Sequence, residues 1–177
     1  MSREIRMVPP GWQHPTELRL SFRNGSMQPQ FIGLLGGSFP DALAEWQEER
    51  TQWDMGLMRD YATNGWKPRD RDDIAFEDWY GEMPRAEDFM PEFPQGTATH
   101  MMMYETTSEG TPISPAFATA EELARWLADN NASAFGGTGA TYEQWLSTIH
   151  RGFAPSAVLT ATGIVSGVEA LDKESGT

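Results

Sequence analysis

Prolines and glycines decide where regular structure can form in this chain. The first forty residues carry Pro9, Pro10, Pro15, Pro29 and Pro40 with Gly25, Gly33, Gly36 and Gly37, and residues 64–97 carry Pro68, Pro84, Pro91 and Pro94. Each proline fixes φ and removes a backbone donor, so the first stretch is broken into short pieces and residues 64–97 admit no long element. Regular structure there has to be short.

The windows between hold the clearer patterns. From Pro40, Leu43, Trp46, Trp53 and Leu57 fall at helical spacing with Arg50 interrupting, which predicts a helix over about 40–62 closed by Asn64-Gly65. TAEELARWL (119–127) and TYEQWLSTI (141–149) each place a threonine three residues before a Glu or Gln, a capping-box spacing that predicts helices over about 119–130 and 141–151. ATHMMMYETT (98–107) alternates as a strand, and SAVLTATGIVSGVEAL (156–171) reads as two short strands around Thr162-Gly163. In the broken N-terminal stretch, ELRLSFR alternates before an Asn24-Gly25 turn, with FIGLL (31–35) as a partner. Residues 64–97 hold Trp66, Phe76, Trp79, Tyr80, Phe89 and Phe93, too many aromatics for plain disorder, with at most a turn or two of helix between Asp72 and Tyr80.

The expected fold class is α+β: a small mixed sheet, three main helices and a long irregular arm rich in proline and aromatics. The expected organisation is a single domain. It comprises an N-terminal arm or hairpin (1–39), an acidic aromatic arm (64–97), a compact α+β part (98–171) and a frayed tail (172–177).

Charge and composition exclude several function classes. The formal charge is −13, which repels nucleic-acid phosphates and anionic membranes. It is uneven: residues 70–93 carry nine acids against Arg71 and Arg85, a net of −7, and residues 1–30 carry four arginines against two glutamates, a net of +2. The basic N-terminal end and the acidic middle can pair within the fold or between copies. There are no cysteines, so disulfides, thiol nucleophiles and thiolate metal sites are excluded. No apolar run nears the roughly 18–20 residues that span a bilayer, and the N-terminus has no apolar core of the signal-peptide kind.

The candidate chemistry is thin. His14, His100 and His150 show no metal-ligand spacing, and RDRDD (69–73) lacks the central glycine and the twelfth-position glutamate of a calcium loop. FGGTGATYEQW lacks the lysine and the glycine order of phosphate-binding loops. No metal and no cofactor is expected. Two groups remain. Asp72, Asp73, Glu77, Asp78, Trp79, Tyr80 and Glu82 can dock a partner through carboxylates and aromatic faces, although such residues can equally be a solvated arm laid over the domain. Tyr104, Glu105, Ser108 and Glu109 can line a ligand pocket, although Ser-Glu-Gly-Thr-Pro is also natural turn chemistry at a strand end.

REIRMVPPGWQHP, YETTSEGTPISPAFATAEELARWL and GFAPSAVLT with GIVSGVE together resemble a group of uncharacterised accessory proteins encoded by tailed phages and prophages. The resemblance covers both ends of the chain and brings no catalytic residue with it. It implies a protein acting in the cytoplasm of a bacterial host during infection. The expected function is therefore protein–protein binding, with an anti-defence inhibitor of the anti-CRISPR kind as the sharpest version. The expected partner is a host or phage protein with a basic surface, or a second copy of the chain, with no direct nucleic-acid or membrane contact. The alternatives are a small enzyme or ligand-binding protein with its site near Tyr104–Glu109, and a virion or assembly component.

Overall fold

The computed structural model describes residues 2–21, 25–70, 73–106, 110–160 and 163–173, with backbone alone at 160, 163–164 and 171–173. In chain order the elements are β1 (Arg3–Val8), β2 (Thr16–Leu20), β3 (Met27–Phe31), α1 (Phe39–Asp54), β4 (Leu57–Asp60), β5 (Gly65–Pro68), α2 (Phe76–Tyr80), β6 (His100–Glu105), β7 (Thr111–Pro112), α3 (Ala120–Asp129), α4 (Tyr142–Arg151), β8 (Phe153–Ala154), β9 (Ala157–Thr160), β10 (Gly163–Ser166) and α5 (Gly167–Lys173). The class is α+β. Every strand pairing among the described residues is antiparallel, and the strands form four small sheets in place of one mixed sheet. The chain divides into two compact units, Met1–Leu35 with Phe93–Thr177, and Gly36–Glu92. No helix among the described residues is long and apolar enough to cross a membrane.

The first unit is built on the sheet β7-β6-β1-β8. β1 lies antiparallel to β6, with Ile5 opposite Met103 and Glu4 opposite Tyr104. Successive side chains on a strand point to opposite faces. Met103 therefore faces a core of Leu123, Leu127, Trp145, Ile149, Ala154 and Val168, while Met102 and Tyr104 face the other way. Burial of side chains of this size stabilises by about 1.5–3 kcal/mol each. The capping box predicted on α4 forms in full, and on α3 its threonine half forms. Thr141 Oγ1 accepts from Gln144 N and Gln144 Oε1 accepts from Thr141 N, and the helix closes on left-handed Gly152. On α3, Thr119 Oγ1 accepts from Glu122 N at 3.2 Å.

Arg3 is fully buried on the core side of β1, where Nε donates to Ser133 O at 2.8 Å and the guanidinium lies 3.8 Å from Glu105. β2 and β3 form a ribbon, but the partner of β2 is Met27–Phe31 and not the expected FIGLL run. Leu34 leaves the ribbon to hydrogen-bond Gly110 O through its own N–H. At the C-terminus, β9 and β10 pair as expected, but Gly167–Lys173 is helix α5 and not strand. The rest of the expected tail, residues 174–177, lies outside the described residues.

The second unit packs Trp53, Met58 and Phe76 as its core, with Trp46 and Tyr80 against them. Ser38 caps α1, with Asp41 N donating to its Oγ. α1 ends at Asp54, eight residues short of the expected end. Gly56, at φ +79°, turns the chain out of the helix. Leu57–Asp60 then pairs with Gly65–Pro68 as a hairpin, so Asn64-Gly65 closes a strand turn and not a helix. Residues 64–97 are therefore more ordered than an irregular arm, holding β5, α2 and a 3-10 turn at Ala86–Asp88. Phe76 and Phe89 are buried, and Phe39 packs on Phe89 at 5.7 Å. Glu49 is buried in α1 because Arg59 Nε donates to its carboxylate at 2.8 Å.

Candidate functional site

The second unit concentrates the charge: residues 36–92 carry fifteen acids against six bases, a net of −9 out of −13. Asp73, Glu77, Asp78 and Glu82 are exposed, and Asp72 lies outside the described residues. α2 is a short helix with Phe76 as its buried anchor, and this sets where its other side chains go. Trp79 is 42% exposed and stacks on Trp53, with ring centroids 6.2 Å apart and an interplanar angle of 24°. Tyr80 stacks on Phe76 at 5.3 Å. Burial, and then the charges of Glu45 and Glu49, push the Tyr80 phenol up to about 12. Glu77 pairs with Arg50, whose guanidinium also lies over Phe76 and binds Asp54. The segment thus presents carboxylates around an indole face held by a second indole. Such a surface suits cationic side chains, through ion pairs at its rim and cation–π contact at Trp79.

Of the second predicted group, Ser108 and Glu109 lie outside the described residues. Tyr104 and Glu105 are neighbours on β6 and so face opposite sides of the sheet. Glu105 meets Arg3 on the core side. Tyr104 is fully buried on the other side, where the Arg6 guanidinium lies 4.5 Å over its ring. Arg6 also donates to Leu34 O at 2.7 Å and pairs with Glu4 at 3.3 Å.

The Tyr104 hydroxyl lies 3.1 Å from His14 Nδ1, and Trp12 Nε1 donates to it at 3.4 Å. The other ring nitrogen of His14, Nε2, sits 2.6 Å from Ile32 O, an atom that can only accept. Nε2 therefore carries the proton. Burial holds His14 below the usual imidazole range; the Ile32 carbonyl opposes this and Arg6 adds to it. In the neutral ring Nδ1 is then the acceptor and the Tyr104 hydroxyl its donor. Burial also pushes the Tyr104 phenol up, opposed by the Trp12 bond and by Arg6, which keeps its proton in place.

His14 is also part of a wall. A cavity of about 560 Å³ is lined by Trp12, His14, Phe31, Met102, Ile113 and Trp126 among others. A second cavity, of about 590 Å³, lies beyond Trp126 and is more polar, with His100, Glu122, Arg125 and Asp129 on its walls. No group of three acidic or histidine side chains among the described residues is placed to hold a metal ion.

The sequence reading missed Arg6, Trp12 and His14. Two of them sit in GWQHP, which reads as a proline-broken arm until β1 and β6 pair. The one local signal is the spacing of Trp12 and His14, which puts both on the same side of an extended chain. No family model, no curated protein and no solved structure matches the chain.

Proposed function

We propose that this chain is a binding protein and not an enzyme, and that it docks a basic protein surface through Asp73, Glu77, Asp78, Trp79 and Glu82. The observation that carries the reading is the half-exposed Trp79, stacked on Trp53 among exposed carboxylates within a unit of net −9. An aromatic plate fixed by a second ring loses little entropy on binding, and tryptophan is among the residues enriched at the centres of interfaces, inside a polar rim. A basic nucleic-acid-binding groove on another protein is the complementary surface. In the phage setting implied by the resemblance, such a groove belongs to a host defence protein, and the chain acts on it in the bacterial cytoplasm.

The test is capture from lysate of infected and uninfected host cells, using the wild type and a variant carrying Asp73→Lys, Asp78→Lys, Trp79→Ala and Glu82→Lys. The proposal expects a discrete basic partner whose capture the variant loses. Recovery of the same partners by the variant removes this segment as the interface.

A further inference from the structure

The cavity beneath the β2–β3 ribbon has walls that are apolar in a specific way. Trp12, Phe31, Trp126, Met102, Ile113 and Pro115 supply carbon and ring faces. Most of the polar groups among them are already committed elsewhere. Trp12 Nε1 donates to Tyr104, both ring nitrogens of His14 are bonded, and Ser114 Oγ accepts from Met103 N and donates to Pro115 O. Gln13 and Thr16, both exposed, and the indole N–H of Trp126 are the side-chain polar groups that bring no such bond to the lining. A charged ligand would give up part of its hydration against these walls with little to replace it. A flat apolar ring would meet Trp12, Phe31 and Trp126 at no such penalty. At about 560 Å³ the cavity falls in the range that holds small organic ligands.

We infer that this cavity binds a small, uncharged aromatic molecule of one or two rings, with its one polar group at the mouth beside Gln13 and Thr16. The site shares no residue with the acidic surface, and each stands or falls without the other.

Indole is the probe, with benzoate and benzylamine as its charged counterparts, titrated into the full chain and followed by the indole N–H shifts of Trp12 and Trp126. The expected result is saturable shifts of both signals with indole, at a dissociation constant below about 1 mM, and binding of the two ions weaker by about tenfold or more. Two variants narrow the cavity: Ile113→Phe from the half-buried wall and Thr16→Phe from the exposed mouth. Both are expected to weaken indole by about tenfold. The exposed site makes Thr16→Phe independent of any folding defect in Ile113→Phe. No saturable shift at the two indoles, equal affinity for the ions, or indole binding unchanged by Thr16→Phe would overturn the inference.

Discussion

The Tyr104 hydroxyl and His14 Nδ1 meet at 3.1 Å in the interior of the first unit, although ninety residues separate them. The contact ties the proline-broken N-terminal stretch to β6. It also joins a phenol that keeps its proton to an imidazole that declines one, and two consequences can be measured.

The first is the weight of the hydroxyl. Tyr104→Phe keeps the ring under Arg6 but leaves His14 Nδ1 and Trp12 Nε1 without their partner. The expected cost is about 1–3 kcal/mol, the usual range for stranding buried polar groups. Urea unfolding measures it, with Tyr61→Phe as the control. Tyr61 is 82% exposed, and its variant is expected within about 0.5 kcal/mol of wild type.

The second is pH. His14 lies below its ordinary value of 6.5, through burial first, against the Ile32 carbonyl, with Arg6 adding to the depression. The charged groups facing it are Arg6 and, through Arg6, Glu4. The unfolded chain takes up a proton that the folded chain declines, so stability is complete above about pH 7 and falls as pH drops through 6.5 toward the folded value. His14→Gln is expected to flatten that slope between about pH 7 and 5. A wild type whose stability holds steady or rises on acidification through this window would contradict the assignment.

Gly110 supplies a steric test of the same region. It sits at φ +81°, and a Cβ there would overlap the Leu34 carbonyl that Arg6 binds. Gly11, at φ +74°, has open space where a Cβ would go. Gly11→Ala is expected to cost about 1 kcal/mol for its backbone alone. Gly110→Ala should cost at least about 2 kcal/mol more, because Leu34 and Arg6 must also move. Thermal or denaturant unfolding of the pair decides this, and equal costs would mean that Leu34 does not pack there.

In the second unit, Tyr80 carries a measurable signature. Its phenol is pushed up to about 12, above the ordinary 10. The unfolded chain ionises first, so stability is present below pH 10 and is lost as pH rises toward 12. Absorbance titration of wild type minus Tyr80→Phe should isolate a late phenolate transition near that value. A difference transition near 10 would place Tyr80 in solvent, away from Phe76, Glu45 and Glu49.

What was legible in the sequence was what is decided locally. Thr119 and Thr141 cap because each hydroxyl meets a backbone N–H only three residues on, and β6 reads as a strand because Met102–Tyr104 is a short run buried on both faces. α1 was read eight residues too long because Leu57 continues the helical stripe. Gly56 and a pairing with Gly65–Pro68 override that stripe, and no single stretch contains both. The α+β class followed from these elements. The cavity and the His14–Tyr104 contact did not, since Trp12, Phe31, Met102, Ile113 and Trp126 meet only once β1 has paired with β6. Asp72, Ser108 and Glu109, proposed from sequence, fall outside the described residues.

Photo-crosslinking in bacterial cells tests whether the surface around Trp79 is the docking face. A photoreactive phenylalanine analogue replaces Trp79 in one version and Leu159, which is 80% exposed in the first unit, in another. Discrete adducts with a basic protein are expected at position 79, lost when Asp73, Asp78 and Glu82 are changed to lysine and weakened as salt rises above about 0.15 M, with none of these adducts at position 159. The same adducts from both positions, or adducts at 79 that survive the charge reversal, would contradict it.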